Sequence, residues 1–458
     1  MFFLVACTES LSPVAEALAS EPMLEVELDP APPPERAGLT YEIYVRSFYD
    51  SDGDGTGDLD GVRLKLDYLE SIGVQTLWLM PVFPAFGPAG YDVQDFGSLT
   101  PEYGDEAALR ALVDEAHARG MRVLLDFPLN HVHREHPWFL AAAEGDSIYR
   151  DYFVYGGEGE CWWPDAQGGN YYAYFGPDMP DLDWTDDRLA FLMGLLLSQW
   201  LEVVDGYRLD AVLMLVEEDG VTEGSTASHA LVAGVAQRFP GKFFLAEASE
   251  WEVERSTSWL EEAQAVTDFP RREALLLAAA EGDAAHVAEV IAEQGTRAEG
   301  MASFLGSHDV DRLASLVADP GQRRALMVAN MLLPGNPVIY YGEELDLPNA
   351  QTASGQDHAW RAPMPWDGSS QAGFTTGTPW FTPDPSYQRG VNVEAEDQDP
   401  GSMLNLVRAL ACVRAETEGA AASTPVASGS VLRWTRGEVS VEVDFAGSYR
   451  VEGSGCSI

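Results

Sequence analysis

A closed (β/α)8 barrel is the fold class this sequence predicts, with a loop domain inserted after its third strand and a short antiparallel β domain at its C-terminus. Two observations predict it. From Thr40 onward, short apolar runs alternate with helical patterns, the signature of parallel βαβ units. Eight such units follow one another, which favours closure over an open sheet, and chemically capable polar residues recur where the runs end.

Tyr41–Val45 reads as the first strand, residues 61–72 as a helix, and Thr76–Pro81 as the second strand. Residues 105–120 give the cleanest helix: Leu109, Leu112, Val113 and Ala116 share one face, Asp105 can cap the start, and Gly120 the end. Arg122–Asp126 is the third strand. The stretch from His131 to about Thr185 is irregular and rich in aromatics and glycines, so it reads as an insertion. A helix from Arg188 to Leu201 restores the alternation. Strands follow at Gly206–Val212, Phe243–Glu247, Ala265–Phe269, Ala302–His308 and Pro337–Tyr341. After a long loop, Met403–Glu416 reads as the last barrel helix, and Val431–Val451 alternates in strand fashion. The resulting domains are a leader and linker (1–38), a barrel (39–130 and 186–418), an inserted domain (131–185) and a C-terminal β domain (419–458).

Lys and Arg total 27 against 74 Asp and Glu, a net charge of −47 in 458 residues. A field of that sign repels phosphate backbones and excludes nucleic acid as a partner. Most of these carboxylates read as a solvated acidic surface. Leu4-Val5-Ala6-Cys7 looks like a lipobox, but only six residues precede Cys7 and none is basic. An export signal of roughly 15–30 residues would place the natural start upstream. Thr8 to Gly38, rich in Pro, Glu, Ala and Ser, reads as an extended tether. The expectation is an exported chain, either secreted or held at a membrane (periplasm or cell surface) through lipid on Cys7. No other run is apolar enough to cross a membrane. Cys161, Cys412 and Cys456 remain, and their pairing is open.

Asp126, Asn130 and His131 close the third strand, Arg208 and Asp210 interrupt the fourth, Glu247 closes the fifth, and His308 and Asp309 the seventh. Any one alone reads as a salt bridge or cap. Four strand ends converging on one barrel rim are harder to explain by structure alone.

Asp126–His131, Gly206–Asp210, Leu245–Glu247 and Phe304–Asp309 resemble, in order and spacing, the four signature regions of the α-amylase family of glycoside hydrolases (family 13), in its oligo-1,6-glucosidase-like, lipoprotein-bearing branch. Gly90–Val93, Met179–Trp184, Pro334–Glu344 and Arg361–Trp366 are also similar to family segments. The resemblance implies that Asp210 is a nucleophile forming a glycosyl-enzyme, Glu247 the general acid and then base, and Asp309 the stabiliser of the sugar and transition state. It implies that Arg208 keeps Asp210 ionised, and that Tyr91, Asp92, His131 and His308 hold the sugar at the cleavage site, with Arg312 pairing to Asp92.

Asp50-Ser51-Asp52-Gly53-Asp54-Gly55-Thr56-Gly57-Asp58 alternates carboxylates with glycines, an oxygen-rich tight loop suited to Ca²⁺. Gly61 stands where an EF-hand needs its Glu. The loop resembles instead the calcium loop of oligosaccharide-cleaving family members, which implies Asp50, Asp52, Asp54, Asp58 and the Thr56 carbonyl as ligands of a structural ion.

The sequence also departs from the family. Ser307 replaces the usual Asn, Leu213 and Met214 replace polar residues of the leaving-group side, and Ala89 stands where His is common. The apolar Leu213–Met214 pair argues against a second calcium site at Asn130. Ala211 stands where α-1,6-specialised members tend to have Val. The expected activity is retaining hydrolysis of α-1,4-glucosidic bonds in starch or malto-oligosaccharides by a monomer. The alternative is an oligo-1,6-glucosidase, α-glucosidase or trehalose-synthase-like transferase on small oligosaccharides. A catalytically dead sugar-binding homologue is the outside alternative, opposed by the presence of Asp210, Glu247 and Asp309.

Overall fold

The computed structural model describes residues 38–217, 221–350 and 359–458. Cys7 and the tether lie outside the described residues. The first barrel strands are β1 (Thr40–Ile43), β2 (Thr76–Leu79) and β3 (Arg122–Pro128). The insertion contributes β4 (Trp162–Pro164) and β5 (Asn170–Tyr172). The barrel resumes with β6 (Gly206–Asp210), β7 (Phe243–Ala246), β8 (Ala265–Thr267), β9 (Met301–Ser303) and β10 (Asn336–Tyr340). Among the described residues eight parallel strands close in the order β1-β10-β9-β8-β7-β6-β3-β2.

The strands are buried on both faces, so their sequences are near-continuous apolar runs rather than alternating ones. Alternate side chains point into the barrel. Trp78, Leu124, Phe243, Leu245, Ala265, Ala302, Phe304 and Val338 pack there as an inner cluster. The charged residues Glu42, Asp126, Arg208 and Asp210 fall on inward positions of β1, β3 and β6, and Asp126 sits beside Arg208 in register.

Helix Glu106–Ala118 forms as its pattern predicts. Asp105 accepts a hydrogen bond from the Ala108 amide, and Leu109, Leu112, Val113 and Ala116 are buried. Two expected strands are shorter than their apolar runs. β8 stops at Thr267 because Asp268 caps helix Phe269–Glu281, with Pro270 in its first turn. β9 stops at Ser303, and residues 304–312 form a loop whose Gly306 lies against the Glu343 carboxylate. A Cβ at Gly306 would sit 2.3 Å from Glu343 Oε1. The first expected strand also ends early, at Ile43, where helix Val45–Phe48 begins.

Strands β4 and β5 form an antiparallel hairpin in the insertion, which meets the barrel rim where the Leu182 amide donates to the Asn130 carbonyl at 2.8 Å. Strands β11 (Val426–Ser428), β12 (Val431–Arg436), β13 (Val439–Asp444) and β14 (Ser448–Glu452) form an antiparallel sheet. It packs on helix Pro320–Leu332, where Trp434 Nε1 donates to the Leu332 carbonyl at 3.0 Å. A disulfide joins Cys412, on the last barrel helix, to Cys456, and Cys161 is a free thiol. Among the described residues no helix is long and apolar enough to cross a membrane.

Candidate active site

The charged residues of the inner strands meet at the C-terminal end of the barrel around one guanidinium. Arg208 Nη1 lies 2.9 Å from Asp126 Oδ1 and 2.5 Å from Asp210 Oδ1, and Nη2 lies 3.3 Å from Glu247 Oε2. Asp126 is fully buried and also accepts from Trp78 Nε1 and Tyr91 Oη, each at 2.9 Å. A buried charge demands such satisfaction, and Trp78 and Tyr91 flank Arg208 as π-faces at 5.1 and 5.7 Å.

Immediately after β6, Ala211 adopts a left-handed conformation, φ +49°. Non-glycine residues rarely occupy that region. Here it turns the chain so that the Ala211 amide donates to Glu247 Oε2 at 2.9 Å. Ser249 Oγ donates to the other oxygen, Oε1, at 2.6 Å. Asp210 and Glu247 are thus held as neighbours by Arg208 and by the backbone after Asp210.

Asp309 is more exposed. Its Oδ2 lies 2.8 Å from His308 Nε2, and its Oδ1 3.5 Å from Arg361 Nη2. Burial would raise its carboxyl, but His308 and then Arg361 outweigh that and hold it down at about 2. Asp210 behaves oppositely. Burial pushes its carboxyl up to about 8, with Glu247, Asp126 and Asp309 adding to the rise and Arg208 opposing it. Arg208 acts in the expected direction, holding the carboxyl down, while burial and the three neighbouring carboxyls leave the net shift upward.

Tyr91 stacks on His308, with centroids 5.1 Å apart. His131 is buried, which pushes its ring down to about 4, so it is neutral, and its Nε2 donates to the Tyr91 carbonyl at 3.1 Å. Asp92 is half-buried and accepts from the Gly87 amide at 2.7 Å. Arg208, Glu247, His308 and Asp309 border a cavity of about 200 Å³, lined also by Phe269, Phe304, Ser307, Val310 and Val338. The insertion also reaches the segment after β6, where Tyr174 Oη donates to Glu223 Oε1 at 2.5 Å.

One predicted residue lies elsewhere. Arg312 does not pair with Asp92. It is fully buried, donates to the Tyr341 and Trp360 carbonyls at 2.6 and 3.0 Å, and stacks on Tyr340 and Tyr341. The guanidinium that reaches the site belongs to Arg361, which also donates to the His308 carbonyl at 3.1 Å and keeps a buried Nε without a hydrogen-bond partner. Sequence reasoning noticed the Arg361–Trp366 segment but gave it no role. It also missed Glu42, whose carboxylate meets His308 from inside the barrel, and Ser249.

In the acidic loop, carboxylate oxygens of Asp50, Asp52 and Asp54 lie within 4.8 Å of one another. Asp50 is tied down by the Gly53 and Gly55 amides and the Thr375 hydroxyl, while Asp52 and Asp54 face outward. Asp58 stands apart as the cap of helix Leu59–Leu64, its oxygens taken by Ser51 and Gly61. The Thr56 amide donates to Asp54 at 2.7 Å. The converged acids fit a hard cation.

Residues 42–422 match the family model described as alpha amylase, catalytic domain. The chain is 29% identical to an oligo-1,6-glucosidase of Parageobacillus thermoglucosidasius, covering 83% of each chain. It is 31% identical to a trehalose synthase/amylase of Mycobacterium tuberculosis, covering 82% of this chain and 74% of the other. The solved α-amylase from H. orenii superposes with a TM-score of 0.79 at 29% identity, covering 89% of each chain.

Proposed function

The chain belongs to the α-amylase family of glycoside hydrolases, and from that premise we propose that it is a retaining α-glucosidase acting on short α-glucosides, α-1,6-linked as well as α-1,4-linked. The observation that carries this reading is the size of the pocket beside Arg208. A cavity of about 200 Å³ lies below the roughly 300–1,000 Å³ of common ligand sites, which suits a single terminal sugar better than a threaded glucan. Apolar Leu213 and Met214, shortly after Asp210, offer the leaving-group side no charged contact. The names of the oligo-1,6-glucosidase and trehalose synthase relatives support small substrates.

Asp210 attacks the anomeric carbon, and Glu247 gives its proton to the departing oxygen. Water, deprotonated by Glu247, then releases the sugar from the ester on Asp210. Two carboxyls held on the two terminal nitrogens of one guanidinium are near neighbours, the arrangement of a retaining pair. Asp309, His308, Tyr91, Asp92, His131 and Arg361 hold the ring, and Asp309 stays ionised against the oxocarbenium-like charge. Asp50, Asp52 and Asp54, with the Thr56 carbonyl, would hold a structural Ca²⁺ that fixes the loop after β1. Chelation should lower the melting temperature reversibly, and an unchanged melt would remove the ion from the reading. Export and a lipid anchor at Cys7 stay part of the proposal.

A second reading, starch cleavage at α-1,4 bonds, is favoured by Ala211 in place of the Val of α-1,6 specialists. Products and their anomeric form from isomaltose, maltose, maltotriose and soluble starch decide between the two, beside an Asp210→Asn control. Fast turnover of isomaltose and maltose with slow action on starch supports the first reading. Malto-oligosaccharides from starch with no cleavage of isomaltose would sink it in favour of the second. Trehalose from maltose would redirect it to glucosyl transfer.

A further inference from the structure

Both ring nitrogens of His308 face acceptors. Nδ1 lies 2.5 Å from Glu42 Oε1. Nε2 lies 2.8 Å from Asp309 Oδ2 and 2.7 Å from Tyr91 Oη. The Tyr91 hydroxyl already spends its proton on Asp126 Oδ2, 2.9 Å away. A neutral imidazole has a single N–H and would leave one nitrogen lone pair facing an oxygen lone pair. The arrangement is satisfied only when both nitrogens carry hydrogen.

Glu42 is the unexpected partner. It sits on β1 inside the barrel, fully buried, and its Oε2 has no hydrogen-bond partner. A lone buried carboxylate is costly, and a cationic neighbour offsets that cost. We propose that Glu42 is a positioning residue that keeps His308 a cation, with its Nε2–H held toward Asp309 and toward the hydroxyls of the sugar bound there. The inference rests on the reading that His308 and Asp309 grip the sugar at the cleavage site.

The groups around the ring come from several elements. Glu42 approaches from β1, Tyr91 from the loop after β2, Asp126 from the end of β3, and Asp309 from the ring's own loop. Trp78 on β2 meets it edge-on at 6.0 Å, and Arg361 donates to the His308 carbonyl. Arg208 lies behind Asp126 and Tyr340 beside Glu42 on β10. Burial opposes the ring's charge, but Asp309 and then Glu42 outweigh it, so its proton is held to about pH 10. Glu42→Gln keeps an acceptor of the same shape and removes only the charge.

Selective ¹⁵N-histidine labelling resolves the chain's eight histidines, with His308 assigned by its loss in His308→Gln. In the unsubstituted protein both His308 nitrogens should be protonated at pH 8. In Glu42→Gln the titration midpoint should fall by about one unit or more, a tenfold loss of proton affinity. The ratio of kcat/KM in Glu42→Gln to that of the parent, followed from pH 6 to 11, cancels ionisations the two share. It should be level at low pH and then drop about tenfold per unit above the lowered midpoint. An unchanged midpoint or a level ratio would overturn the proposal and leave Glu42 as packing. If Glu42→Gln does not fold, the parent spectrum decides: a neutral His308 ring at pH 8 overturns the role, and a doubly protonated one supports it. If the parent turns over no α-glucoside, the functional reading falls while the spectra still judge Glu42.

Discussion

Asp210 offers a direct trade of stability against chemistry. In the folded chain its carboxyl is pushed up to about 8, first by burial, whereas an unfolded Asp titrates near 3.9. The protonated form is therefore favoured by folding. That stabilisation is complete below the unfolded value and is lost as pH rises toward 8. At pH 7 the unfolded carboxyl has been ionised for about three units, which at 1.36 kcal/mol per unit is a penalty of about 4 kcal/mol on the fold. The shift belongs to the carboxyl cluster around Arg208 rather than to one residue, so about 2 kcal/mol is the expected net effect. Asp210→Asn keeps an oxygen for Arg208 and removes the ionisation. The variant should be about 2 kcal/mol more stable than the parent at pH 7, with the gap closing toward pH 4, while kcat falls by roughly 10³ or more. Urea unfolding followed by tryptophan fluorescence at several pH values, beside kcat, makes the comparison. A variant no more stable at pH 7, or a gap that does not widen with pH, would refute the reasoning.

The two arginines that sequence reasoning confused should separate experimentally. Arg361→Gln should lower kcat/KM tenfold or more, in line with the roughly 1.5–3 kcal/mol of a charged hydrogen bond. Arg312→Met should instead lower unfolding free energy by about 3 kcal/mol, because the buried Tyr341 carbonyl and the part-buried Trp360 carbonyl lose their donor, with kcat/KM of the folded fraction unchanged. Cys412→Ser should cost about 4 kcal/mol at 25 °C in urea, the loop-closure value for a cross-link spanning 44 positions, without altering KM.

The barrel was legible because its strands are short, apolar and separated by well-capped helices. Helix Met403–Glu416 starts and stops where the sequence places it. Strand ends were less legible. Phe269 and Phe304–Leu305 are as apolar as any strand, and only the Asp268 cap and the contact of Gly306 with Glu343 show that the chain has left the sheet. Asp210, Glu247, His308 and Asp309 were found because they stand in local motifs. Arg361 was assigned no role because it lies in an irregular stretch where nothing local says which way a guanidinium turns. Glu42 was passed over because it reads as one polar residue in a strand, and its meaning depends on a histidine brought in from the far side of the barrel.

Strand β1 is hydrogen-bonded on one side to β2 and on the other to β10, Thr40 facing Val338. The two halves of that seam are about 300 residues apart, which a ribosome takes roughly 15 to 60 seconds to make. Until β10 emerges, β1 has an open edge, Glu42 has no imidazole beside it, and Arg208 waits for part of its surroundings. The nascent chain can build helices and neighbouring strand pairs early, but the pocket exists only once the ring shuts. Any holding factor that delays closure would therefore also keep the enzyme silent, and the moment of folding and the moment of first turnover should coincide.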